Sequence, residues 1–130
     1  MMTLEELVEK FQCHVYTTSI YNPMKTIKFG FCADLMSDAL MIMNTVREEG
    51  ILEETLLITG LATNQSIRTA EMLDVEVILL VRGKVPASQV VELAEESNII
   101  LLGTELTMFN TSGRLFQEGI RGIQANHDAI

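Results

Sequence analysis

Three runs decide the fold: Leu56-Leu57-Ile58-Thr59-Gly60, Val77-Ile78-Leu79-Leu80-Val81-Arg82-Gly83 and Ile99-Ile100-Leu101-Leu102-Gly103. Each is short, apolar and ended by glycine, and a helical pattern follows each one. They recur about every 22 residues, the length needed by a short strand, a helix and two tight loops. Runs that are apolar throughout, rather than alternating, imply strands buried on both faces. The prediction is an α/β fold: a three-layer α/β/α sandwich with a mainly parallel sheet built from successive βα units.

Working outward, Thr63 or Asn64 can cap a helix that runs to Leu73, with Ile67 and Ala70 facing inward. Pro86 sits at or near the first turn of the next helix, whose packing side is Val90, Val91, Leu93 and Ala94. A last helix lies within Leu106 to Gly119, with Met108, Leu115 and Phe116 on its apolar side. Upstream, Thr3-Leu4-Glu5-Glu6 is a capping box that opens an amphipathic helix over residues 4–11. His14 to Thr17 reads as a strand, and so does the alternating stretch Thr26 to Cys32. From Asp34 to Glu49 the pattern is helical, with Ser37 as candidate N-cap and Gly50 as stop.

With 130 residues, one domain with a real core is expected. Eighteen acids against nine bases leave a net charge of −9, the wrong sign for a nucleic acid or an anionic membrane surface. No apolar run reaches the roughly 18 residues of a membrane span. The acids Glu5, Glu6 and Glu9 do not suit a signal peptide, so a cytoplasmic protein is expected. Cys13 and Cys32 form no C-x-x-C pair, and buried free thiols are the ordinary reading.

Ligands of open parallel sheets sit outside the carboxyl ends of the strands. That edge should carry Thr59, Gly60, Arg82, Gly83, Gly103 and Thr104, with Lys84 adding positive charge. Helix N-termini beside it would present free amides to an anion. These six residues are the candidate ligand-binding set, although glycines also serve simply for tight turns. The P-loop pattern fails, because Val85 follows Gly83-Lys84 and Ile78 stands where its first glycine belongs. Neither G-x-G-x-x-G nor G-x-S-x-G occurs. His14 and His127 lack partners at metal-ligand spacing. No catalytic residue, metal site or cofactor is therefore assigned, and the chain is not expected to be an enzyme. Capping explains Asp34 and Asp38, and a cluster of them with Arg114 or Arg121 is the alternative. Met36, Met41, Ile42 and Met43 make the 34–49 helix apolar on more than one side, which points to a subunit interface.

The order of elements resembles the DRTGG domain family, in particular its single-domain branch. The likeness rests on Leu57-Ile58-Thr59-Gly60, the Val77 to Gly83 strand and Pro86. It continues through Val90-Val91-Glu92-Leu93-Ala94-Glu95-Glu96 and the strand at Ile99 to Leu102. Gly30 to Asp38 precedes the first unit as in that branch, and Gly113 to Ile120 closes the domain. The naming motif is altered: its Asp-Arg falls at Leu61-Ala62, and its Thr-Gly-Gly falls at Val81-Arg82-Gly83.

The resemblance implies a regulatory domain over residues 1–122, with 123–130 as a tail, and a fold similar to the N-terminal, non-kinase part of HPr kinase/phosphorylase. It also implies self-association. The expectation is a non-catalytic, homodimeric regulatory or ligand-sensing module that takes an anionic small molecule or nucleotide at the strand ends. A protein-interaction subunit with a protein partner and no small-molecule site is the alternative.

Overall fold

A computed structural model of the chain describes residues 1–43 and 50–123. The first elements are strand β1 (Met2–Thr3), helix α1 (Leu4–Phe11), and strands β2 (His14–Val15), β3 (Thr26–Ile27) and β4 (Phe29–Cys32). Helix α2 (Met36–Met43) leads to a 3-10 turn at Leu52–Glu54. Three strand–helix pairs follow: β5 (Thr55–Thr59) with α3 (Asn64–Leu73), β6 (Val77–Leu80) with α4 (Ser88–Glu96), and β7 (Ile100–Gly103) with α5 (Met108–Gln117). Strand β8 (Arg121–Gly122) is last among the described residues.

The main sheet has the order β2-β7-β6-β5-β4-β8. Strands β4 to β7 are mutually parallel, as is β8 beside β4, while β2 runs antiparallel along β7. From β4 to β7 each step moves to the next neighbour in one direction. Right-handed crossovers then put α2, α3 and α4 on the same face. The step from β7 to β8 returns past β4, so α5 crosses the opposite face and lies there with α1. Two cores result. Phe31, Leu57, Ile78 and Leu101 pack with α2, α3 and α4 on one side. Leu56, Ile58, Leu79 and Leu102 pack with α1 and Leu115 of α5 on the other. This is the three-layer sandwich the apolar runs demand, and every residue of β5, β6 and β7 is buried.

Local chemistry sets the boundaries. The capping box at Thr3 and Glu6 starts α1. A second box, between Thr63 and Ser66, starts α3. Pro86 lies just ahead of α4, before its N-cap Ala87.

Three expectations change. The stretch Thr26 to Cys32 is two strands, because at Lys28 the chain leaves a small sheet with β1 and enters the main one. Ser37 does not cap α2; it lies inside the first turn, after Leu35, whose carbonyl accepts from the amides of Asp38 and Ala39. Phe116 is exposed rather than packed, and Arg121 stacks over its ring at 4.3 Å. Most of the 34–49 helix beyond Met43 and the tail from residue 124 lie outside the described residues.

The fully buried Leu79 packs within an apolar cluster, so Leu79→Ala removes transfer energy and leaves a cavity. We expect a loss of about 2–5 kcal/mol, read as a lower urea midpoint with an unchanged slope.

Candidate functional site

At the carboxyl ends of β6 and β7 the chain leaves to opposite faces, towards α4 from β6 and towards α5 from β7. Such a reversal opens a crevice in parallel α/β sheets. Here it is a cavity of ≈ 360 Å³ lined chiefly by His14, Tyr16, Gly83, Lys84, Gly103 and Glu105.

The β6 side is a tight turn. Lys84 N–H donates to the Val81 carbonyl at 3.4 Å, and the two central residues, Arg82 and Gly83, have φ of 60° and 67°. Positive φ at both centres is the signature of a type I′ turn. Glycine accepts that geometry freely, whereas at Arg82 it is strained. Two backbone bonds hold the turn: Arg82 N–H to the Leu106 carbonyl at 2.8 Å and Gly83 N–H to the Thr104 carbonyl at 2.9 Å. The Glu105 carboxylate lies over Gly83, and a Cβ there would be 3.1 Å from its Cδ.

The β7 side is shaped by a missing side chain. A Cβ on Gly103 would come within 2.8 Å of Tyr16 Cε2, so the Tyr16 ring occupies the space that glycine leaves. Tyr16 and His14 pack together, with centroids 4.6 Å apart and planes tilted by 43°. Burial, and then the charge of Glu105, holds the Tyr16 phenol above its usual range, so it remains protonated. Thr104 is buried; its hydroxyl donates to the Phe11 carbonyl at 2.9 Å and accepts from Leu106 N–H at 3.3 Å.

The remaining candidates form a separate group. Asp34 accepts from Gly60 N–H at 2.8 Å and from the Thr59 hydroxyl at 3.2 Å. A Cβ on Gly60 would lie 3.2 Å from Arg82 Nη2 and 3.5 Å from Asp34 Oδ1. The expected strand-end set is thus split. Gly83, Gly103 and Thr104 border the crevice, while Thr59, Gly60 and Arg82 gather around Asp34.

Other expectations are corrected. Free amides do not lie at every helix start, since Thr63 caps α3 and Thr107 caps α5; α4, with Ala87 as N-cap, has no side-chain cap. The cluster of Asp34 and Asp38 with Arg114 or Arg121 does not form. Arg114 lies over the Phe11 ring and donates to the Lys10 carbonyl, while Arg121 donates to the Phe116 and Ile120 carbonyls. Met36, expected at an interface, is 3% exposed and belongs to the core, as its position opposite the sheet requires. Met41 is 66% exposed, Ile42 is half-buried against the core, and the Met43 side chain is outside the described residues. Cys32 is exposed, with its sulfur 3.1 Å from Ser112 Oγ, contrary to a buried thiol.

Sequence reading missed His14, Tyr16 and Glu105. His14 and Tyr16 share a face because strand side chains repeat every two residues, but nothing local says that β2 lies along β7. Among the described residues no cluster of His, Cys, Asp or Glu could hold a metal ion, and no helix is long and apolar enough to cross a membrane.

No family model and no curated protein matches the sequence. Among solved structures, the chain is similar to the CBS and DRTGG domains of the regulatory region of Clostridium perfringens pyrophosphatase, complexed with the activator diadenosine tetraphosphate. The TM-score is 0.66 at 19% identity, over 92% of this chain and 47% of that one. The chain therefore spans about half the length of that regulatory region. The fold is DRTGG-like, as the sequence resemblance implied.

Two predictions follow from these geometries. Arg82→Gly removes the left-handed strain and should raise stability by about 1 kcal/mol in chemical denaturation, part of the gain being offset by the freer unfolded chain. The Cys13 thiol, donating to the Leu7 carbonyl, is pushed by burial from 9.0 up to about 12. The folded state favours the protonated thiol, so this contribution is complete below about pH 9 and is lost as pH rises towards 12. In maleimide labelling of the native protein at mildly alkaline pH, Cys32 should react fast and Cys13 only after unfolding.

Proposed function

We propose that this chain is a non-catalytic regulatory domain that senses an anionic small molecule in the crevice at the ends of β6 and β7. The observation that carries this reading is the crevice itself. It lies where the winding reverses, and its wall holds Lys84, a cation without an ion pair among the described residues. In a chain of net charge −9, an uncommitted cation at a concave edge is the group best placed to meet an anion. The fold neighbour is part of a regulatory region complexed with an activator, which supports a sensing role rather than catalysis.

A second reading, self-association, has its own support. Leu35, Met41 and Met72 are large apolar side chains left exposed on or beside the packed helices α2 and α3. A homodimer through that face would cover them.

Thermal denaturation with nucleotides, acyl phosphates and sugar phosphates tests the sensor. A ligand at 100 times its Kd adds about 2.7 kcal/mol, which for a domain of this size raises Tm by about 10 °C. The shift should vanish in Lys84→Ala. A Tm unmoved by every compound class sinks the sensor reading. Sedimentation of the Met41→Glu variant against the parent tests the dimer, and identical monomeric boundaries for both would remove it.

A further inference from the structure

From the lining of the same crevice we infer that its ligand is a nucleotide, with the aromatic ring on the His14–Tyr16 pair and the phosphates towards Lys84. This deepens the sensor reading and rests on it.

An anion alone does not account for the crevice walls. An oxyanion needs donors and positive charge, and the positive charge in the lining is Lys84. The same lining holds two tilted rings, one of them exposed, set in place by a glycine that could not carry a side chain, and the Tyr16 hydroxyl donates to the Lys84 carbonyl at 3.4 Å. Tilted rings 4.6 Å apart make a corner against which a flat ring can lie on one face and meet the other ring edge-on. Aromatic faces bind any base through its π surface, and stacking needs no hydrogen-bond code.

Glu105 gives the crevice a further demand. Its carboxylate forms no ion pair among the described residues and stands between the rings and the Arg82–Gly83 turn. A carboxylate repels a bare phosphate but accepts hydrogen bonds from an amino group or a sugar diol. A polyphosphate or acyl phosphate would meet Glu105 with no donor to offer. A nucleotide has a part for each of these groups: a ring, hydroxyl donors and phosphates. The volume of ≈ 360 Å³ falls at the lower end of small-molecule sites, enough for one base and its sugar with the phosphates reaching outwards.

The chain supplies its own probe. It has two tyrosines and no tryptophan, so in Tyr21→Phe all ultraviolet emission comes from Tyr16. ADP titrated into this variant should quench that emission saturably. Tripolyphosphate should leave the emission unchanged and bind about tenfold more weakly by calorimetry, the difference that ring stacking supplies. His14→Ala, at an exposed position that leaves the fold intact, should weaken ADP by a similar factor and leave tripolyphosphate unaffected. Equal affinity for ADP and tripolyphosphate would overturn the nucleotide assignment while the anion sensor stands. ADP binding with undisturbed Tyr16 emission and no effect of His14→Ala would also overturn it, by placing the ring elsewhere. Absence of ADP binding would overturn this inference, and the sensor reading falls with it only if the sugar and acyl phosphates also leave Tm unmoved.

Discussion

Strand β6 is enclosed on every side. Its two neighbours occupy both hydrogen-bonding edges, α3 and α4 help to cover one face, and the α1–α5 layer covers the other. A strand with no wet side must be apolar at every position, and Val77 to Leu80 is. Each fully buried aliphatic side chain contributes about 1.5–3 kcal/mol relative to exposure. The remaining order follows from this demand. Helices must lie on both faces, so the chain must reverse its winding somewhere, and the place where it reverses is the mouth at the end of β6.

That dependence explains which parts of the molecule were legible in the sequence. Runs such as Leu56 to Thr59 and Ile99 to Leu102 carry their burial in their composition, so three strands, their helices and the sandwich could be read directly. The capping box at Thr3 and Glu6 is equally local, because a hydrogen bond over three residues needs no tertiary context. Edge elements were harder. Strand β3 separates from β4 at Lys28, a difference of sheet membership that alternation cannot express. Met36 and Met41 look alike as residues, yet one faces the sheet and the other water.

The site was legible only in part, for a related reason. Glycines at the strand ends could be found, but not the purpose of each one. Gly103 makes room for Tyr16, Gly60 for the Arg82 guanidinium, and Gly83 accepts a positive φ under the Glu105 carboxylate. Only the last is a backbone requirement that a turn signal announces. The other two depend on side chains brought from distant parts of the chain. At Arg82, sequence and geometry conflict: a residue poorly suited to φ of 60° stands where the resembled family keeps glycine, and strain of that kind is tolerated where the surrounding bonds fix the backbone.

The pairing of β2 with β7 also bears on how the protein is made. His14 lies opposite Gly103, so the chain must leave the ribosome as far as β7 before that edge can close. Strand β2 therefore waits without its sheet partner until β7 emerges. The intervening strand–helix units can assemble in order as they emerge, whereas the long β2–β7 loop closes only after them. The mouth that His14 and Tyr16 line is thus completed only after β7 has emerged. A nascent chain interrupted before β7 would hold much of the core and no finished binding edge.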